Sequence, residues 1–256
     1  MIFIALPYNG WCIPQAPIAC SQASGMHEVQ CVPYQHSLLQ HNFNILFCDA
    51  YNARQQDDIT HFAMVHADIG PQVRFLDVML EEMDRHGADV MSAVVPLKDD
   101  RDLTSTGIGW RGSWQVRRLA MTECLSMPRT FDLMDAMQCL HMNHEDPASH
   151  YLAINTGVWV ADFRKPWVEE FPGFEIRSGI FRDKLGKKYP NVQSEDWLFG
   201  EWLATNGVKV MATRKVKLEH FGYKGFSNQG ETQEKWTFDR NWRDRCAVFP
   251  EGWIGR

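Results

Sequence analysis

The sequence predicts an α/β fold: a three-layer α/β/α sandwich with a mostly parallel central sheet. Three observations carry this. Strand-sized apolar runs alternate with amphipathic helical stretches through the first hundred residues, the pattern of a right-handed βαβ array. Several runs are apolar on both alternating faces, as strands covered by helices on two sides must be. Gly, Pro and Asn close most of them.

MIFIAL is a continuous apolar run ended by Pro7, Asn9 and Gly10, which suits a buried parallel strand. A helix between Pro14 and Gly25 and a strand at EVQCVPY follow, then an amphipathic stretch from Ser37 to about Ala53. FAMVHADIGP reads as the next strand, with Gly70 and Pro71 as its break. Val73, Leu76, Met79, Leu80 and Met83 then recur at helical spacing, Gly87 is the stop, and ADVMSAVVP begins at once. In the second half, LAINTGVWVADF reads as one strand with a Thr-Gly interruption, where Gly157 admits either a bulge or the close approach of a ligand. SEDWLFGEWLATNG reads as a complete helix with Ser194 as N-cap, Leu198, Phe199, Trp202 and Leu203 as apolar face, and Asn206-Gly207 as stop. VKVMAT and KVKLEHFGY are the last two strands.

A chain of 256 residues, 45% hydrophobic and 23% charged, buries a full core, read here as one catalytic domain. Its nucleotide-binding half spans residues 1–100, its acceptor and catalytic half 101–222, and a C-terminal wrapping segment 223–256. No apolar run reaches the roughly 18 residues of a membrane helix, and MIFIALPYNG lacks a basic leader. The seven cysteines are scattered without a Cys-x-x-Cys pair, as expected of packed thiols in the cytoplasm. A net charge of −6, with RDKLGKK (residues 182–188) as the one basic cluster, argues against a nucleic-acid binder; that cluster reads as a solvated turn.

Two strand-like runs end in polar residues. Phe62, Met64, His66 and Asp68 share one alternating face, and Val216, Leu218 and His220 share another. One buried histidine is ordinarily a hydrogen-bonded core residue. Two such strand ends, with the acidic helix start Glu195-Asp196 between them, point to a site, although helix-dipole complementation alone accounts for the two acids. In a parallel sheet ligands sit beyond the carboxyl ends of strands, which places Pro7 to Asn9, Val32 to Tyr34 and His66 to Asp68 on one rim. No glycine-rich phosphate loop is present, so any bound phosphate needs another source of positive charge.

The βαβ half, the acid-ended strand near residue 68, the Asn-Thr-Gly strand, the Glu-Asp helix start and the later His-Phe-Gly together resemble, in their order, a GT-A-fold glycosyltransferase, a Rossmann-related fold. The pattern is similar to small family-2-like transferases of phage and bacterial genomes. The resemblance implies a nucleotide-sugar donor carrying UDP or GDP, a glycan or other hydroxyl acceptor, and a divalent cation, Mn2+ or Mg2+.

It also implies roles. Asp68 matches the last acid of the family's Asp-x-Asp, a metal ligand; His66 stands where the first acid usually stands. His220 matches the C-terminal histidine of the metal site. Asp196 matches the general base of inverting members, with Glu195 beside it. Pro7, Tyr8 and Asn9 match the nucleotide-contacting loop, Ser37 and Asn44 align with polar positions before the metal strand, and Thr156 and Gly157 fall near the transferred sugar. The chemistry is coherent: a departing nucleoside diphosphate accumulates charge that a cation neutralises, and an attacking hydroxyl needs a base within hydrogen-bond reach.

Two alternatives follow from the same residues. HMNHEDPASH (residues 141–150) holds enough His, Glu and Asp for a zinc site, and with His66 and Asp68 it suggests a metallohydrolase, although its composition is that of a polar acceptor-side loop. Histidine in place of the first acid suggests a sugar-nucleotide-binding protein without turnover. The tryptophans Trp110, Trp114, Trp236, Trp242 and Trp253, in Gly-rich or charged surroundings, read mainly as packing residues.

Overall fold

The computed structural model describes residues 1–222 and 225–228. The rest of the expected wrapping segment, with Trp236, Trp242, Trp253 and Cys246, lies outside the described residues. The first half runs β1 (Ile2–Tyr8), α1 (Gln15–Ala23), β2 (Val29–Gln35), α2 (Leu39–Ala53), β3 (His61–Val65), β4 (Ile69–Pro71), α3 (Phe75–His86) and β5 (Val90–Ala93). Then come β6 (Leu103–Trp110), β7 (Val116–Ala120), α4 (Met121–Ser126), β8 (Thr130–Phe131), α5 (Leu133–Cys139), β9 (His150–Ala153), β10 (Val158–Asp162) and α6 (Trp167–Glu170). The chain closes with β11 (Arg177–Arg182), β12 (Lys188–Gln193), α7 (Glu195–Thr205), β13 (Val210–Thr213), β14 (Leu218–Phe221) and β15 (Gly225–Ser227).

The central sheet has seven strands in the order β2-β1-β3-β10-β5-β13-β8. Its parallel pairs are β1 with β2, β1 with β3, and β5 with β13. The remaining three neighbouring pairs are antiparallel, because β10 runs against both β3 and β5, and β8 against β13. The sheet is therefore mixed, not mostly parallel. The sequence could not reveal this: every residue of Val158-Trp-Val-Ala-Asp162 is buried, and a strand covered on both faces has the same apolar pattern in either direction.

Helices cover both faces, which makes three layers. Phe43 and Leu46 of α2 and Phe199 and Leu203 of α7 pack on one side, with Phe62 and Trp159 from the sheet. Ala16 and Ala19 of α1 and Phe75 and Met79 of α3 pack on the other, with Val65 and Val160. The alternation of β10 thus sends Trp159 to one core and Val158 and Val160 to the opposite one. Trp159 is fully buried, with its ring centroid 5.0 Å from that of Phe199.

Three sequence expectations change. LAINTGVWVADF is two strands in two sheets: β9 pairs with β6 in a side sheet, and β10 enters the central one. Gly70 and Pro71 do not break the chain but form β4, which pairs with β14. Val73 lies ahead of α3 and is exposed, and Phe75 takes the place expected of it on the buried face. Gly87 ends α3 in the left-handed region at φ 59°, as its position suggests.

Helix α7 carries a glycine, Gly200, where it crosses β9. A Cβ there would stand 2.9 Å from the Leu152 carbonyl oxygen, a backbone atom held in a strand. Gly200→Ala gains about 1 kcal/mol of helix propensity but meets an overpacking cost of roughly 1–3 kcal/mol. The clash is with backbone, so we expect net destabilisation, read as a lower midpoint in urea with an unchanged slope; a higher midpoint contradicts the packing argument.

Candidate functional site

The short ladder between β4 and β14 builds the site. It pairs Leu218 with Pro71, Glu219 with Gly70 and His220 with Ile69, and the Phe221 N–H donates to the Asp68 carbonyl at 2.8 Å. This register sets the His220 ring beside the Asp68 carboxylate, with Nε2 3.5 Å from Oδ2. His220 Nδ1 lies 2.8 Å from the Pro96 carbonyl, which can only accept, so Nδ1 carries a proton and Nε2 is turned toward Asp68. Lys98, in the loop after β5, donates its ammonium to the same Oδ2. Burial opposes ionisation of Asp68, but the His220 contact, the His66 ring and Lys98 outweigh it and hold the carboxyl far below the usual carboxylate range.

His66 opens the turn between β3 and β4. Its N–H donates to the Gly157 carbonyl at 2.7 Å, and its ring lies 4.9 Å from that of Phe43. Nε2 is buried without a hydrogen-bond partner. Burial pushes the imidazole toward its neutral form, while the charges of Asp68 and Asp196 pull the other way. A single ring thus feels both carboxylates that the sequence singles out.

The Thr156 hydroxyl donates to Asp196 Oδ1 at 2.8 Å. Thr156 and Gly157 lie in the link from β9 to β10, where Gly157 is required by close approach: a Cβ would stand 2.4 Å from Ile69 Cδ1 and 2.6 Å from Asn155 Oδ1. Glu195 is buried, and its carboxyl is pushed up to about 8, first by desolvation and then by the Asp196 charge. A protonated Glu195 donates to the neighbouring Asp196 carboxylate. Dipole complementation does not explain Glu195, since a neutral acid adds no charge to a helix start. Ser194 holds the N-cap position but makes no side-chain cap bond.

Three further groups belong to this rim. Arg118 of β7 stacks over the Trp197 ring at 4.6 Å, donates to the Thr104 carbonyl at 3.3 Å, and has Asp196 as the largest charge acting on it. Cys12 is near enough to Asp68 for that charge to add to burial in raising its thiol. Lys98, the third, is placed by the carboxyl end of β5, the one signal in the sequence that could have found it. Arg118 and Cys12 have no comparable signal.

The expected nucleotide loop lies at the end of β1, with Pro7 buried, Tyr8 half-buried and Asn9 exposed. The Tyr8 carbonyl accepts from the His36 N–H at 3.2 Å. Beyond His36 runs an open groove of about 640 Å³, lined by His36, Leu38, His41, Asn44 and Phe174 among others. Ser37 is exposed between two of these residues. Asn44 lines the groove but spends both ends of its amide on the Phe174 backbone, at 2.6 and 3.0 Å.

The 141–150 stretch forms no ion cage. His141 and His144 are exposed, while buried His150 contacts Glu145 at 2.8 Å and the Asp146 carbonyl at 2.9 Å. Among the described residues, no group of three or more His, Cys, Asp and Glu side chains is placed to hold a metal. The Asp68 and His220 pair supplies two donors. Their 3.5 Å separation is compatible with adjacent ligands of one octahedral ion, which with bonds of about 2.1 Å stand about 3 Å apart.

The sequence matches no family model and no curated protein. Among solved structures, A197 from STIV superposes with a TM-score of 0.49 at 14% identity, over 86% of this chain and 85% of that one. UDP-glucose pyrophosphorylase complexed with UDP-glucose gives 0.40 at 11% identity, over 96% and 100%. A putative UDP-N-acetylglucosamine pyrophosphorylase from Entamoeba histolytica gives 0.37 at 11%, over 83% and 72%. Likenesses this distant transfer no residue roles, so the functional reading rests on side-chain geometry. Among the described residues no helix is long and apolar enough to cross a membrane.

Glu195 sets a pH dependence. Its folded pKa is raised above the unfolded value of about 4.3, so its contribution to stability is fully present below that value and is lost as pH rises toward about 8. Glu195→Gln keeps a donor toward Asp196 and removes the ionisation. We expect the variant to show a flatter decline in unfolding free energy between these two pH values than the parent; parallel curves contradict the buried neutral acid.

Proposed function

We propose that the chain is a metal-dependent glycosyltransferase that moves a sugar from a UDP- or GDP-sugar to an acceptor hydroxyl, with inversion. The observation that carries this reading is the pairing of two sites at one histidine. Asp68, His220 and Lys98 form a cluster suited to a cation and a diphosphate, and Asp196, which accepts from Thr156, acts on the same His66 ring that Asp68 does. Asp68 and His220 would hold a Mn2+ or Mg2+ ion, which when bound supplies Lewis-acid stabilisation of the leaving diphosphate.

The chain's own residues account for the rest. Lys98, beside Asp68, supplies an ammonium for a donor phosphate oxygen. Pro7, Tyr8 and Asn9, tied to the His36 groove through the Tyr8 carbonyl, would meet base and ribose together with Ser37 and Asn44. Asp196 accepts the proton of the attacking hydroxyl at Oδ2, since Oδ1 is occupied by Thr156. Protonated Glu195 orients Asp196, and the Arg118 guanidinium stands near enough to feel its charge. The His66 ring lies within reach of the charges of both carboxylates.

Calorimetric titration with UDP and with GDP, each with and without Mn2+, tests the reading: binding of one nucleotide is expected only with the ion. Asp68→Ala should abolish that binding. Asp196→Asn should leave it within about twofold and lower transfer by at least about a hundredfold. Equal loss of nucleotide affinity in both variants, or ion-independent binding, contradicts the assigned roles.

A further inference from the structure

Strands β11 and β12 form a two-stranded hairpin whose residues alternate between two faces. The inner face carries Gly179, Phe181 and Tyr189 and packs toward the body, with the Phe181 ring 5.0 Å from that of Trp114. The outer face pairs Ser178 with Val192 and Ile180 with Pro190. On it Ile180 is 73% and Val192 56% exposed, and Leu185 at the tip is 93% exposed. The tip is fixed in this attitude: the Asp183 carboxylate accepts from the N–H groups of Leu185 and Lys187 at 2.9 and 2.8 Å, and Gly186 turns at φ +80°. Leu185 is therefore held outward by the turn.

Charge surrounds these apolar residues. Residues 177–193 hold five cations, Arg177, Arg182, Lys184, Lys187 and Lys188, against the single acid Asp183, in a chain whose net charge is −6. Cations on a hairpin edge commonly serve to prevent edge-to-edge pairing. That role explains the lysines but not an outward Leu, Ile and Val among them.

We propose that the hairpin docks the protein on an anionic lipid bilayer. Leu185, Ile180 and Val192 would enter the boundary between headgroups and acyl chains while Arg182, Lys184, Lys187 and Lys188 meet lipid phosphates, the division of labour of interfacial anchors. Symmetric pairing of two hairpins is disfavoured, since it would bring like charges together. Single-stranded nucleic acid is disfavoured because the outer face is aliphatic and lacks an aromatic platform for bases. The proposal is independent of the transferase reading.

Sedimentation of the full chain with vesicles tests it, using phosphatidylcholine alone and phosphatidylcholine mixed with phosphatidylglycerol. The protein is expected to sediment with the mixed vesicles only, and less at high salt. Leu185→Asp should abolish sedimentation with an unchanged thermal midpoint, and combined Lys184→Gln, Lys187→Gln and Lys188→Gln should weaken it by roughly a hundredfold. Failure to sediment with the mixed vesicles overturns the proposal, as does a Leu185→Asp variant that sediments like the parent. A dimer dissolved by Leu185→Asp, or tighter binding to single-stranded RNA than to vesicles, overturns it in favour of another occupant.

Discussion

Desolvation of Asp68 is the constraint around which the rim is arranged. A carboxylate drawn out of water is costly unless charge and hydrogen bonds offset the loss. The compensation comes from distant parts of the chain: His66 from the end of β3, Lys98 from the loop after β5, and His220 from β14. Those three strand ends meet at one point: the β4–β14 ladder brings His220 to Asp68, and the Pro96 carbonyl ties His220 to the loop after β5. Because the folded pKa of Asp68 is depressed, this stabilisation is present above the unfolded value of about 3.9 and is lost as acid protonates the group.

Two carboxylates adjacent in sequence meet opposite fates in the same helix turn. Glu195 points into the core and holds its proton, while Asp196 faces the rim and accepts from Thr156. The link Ile154–Gly157 matters as much as either acid. It leaves β9 in one sheet, presents Thr156 to Asp196, places the Gly157 carbonyl under His66, and enters β10 in another sheet. Gly157 has no room for a side chain because Ile69 and the Asn155 carboxamide crowd the place a Cβ would take.

Much of this was legible in the sequence. The spans of β1, β2, α2, α3 and α7 follow from periodicity and stop residues, and Asp68 and His220 stood out as polar ends of apolar faces. What stayed hidden depends on partners distant in sequence. The direction of β10 left no mark on a fully buried strand, and the split of LAINTGVWVADF is set by which sheet each half meets. Lys98 precedes Asp99, Asp100 and Arg101 and so looks like part of a solvated charge run. The β11–β12 hairpin was missed because its exposed, mixed face has neither helical period nor clean alternation.

The position of β10 also orders events during synthesis. Strand β3 has one neighbour, β1, among the residues that precede it, and its other edge stays open until residues 158–162 are made. Strand β5 pairs with nothing before β10 arrives, and then waits again for β13. An N-terminal fragment leaving the ribosome therefore exposes apolar strand edges across more than sixty residues of further elongation, the span between Ala93 and Val158. Residues 1–100 and 101–222 are therefore one unit in folding, and the nascent protein is at greatest risk of aggregation, and in greatest need of a chaperone, during that interval.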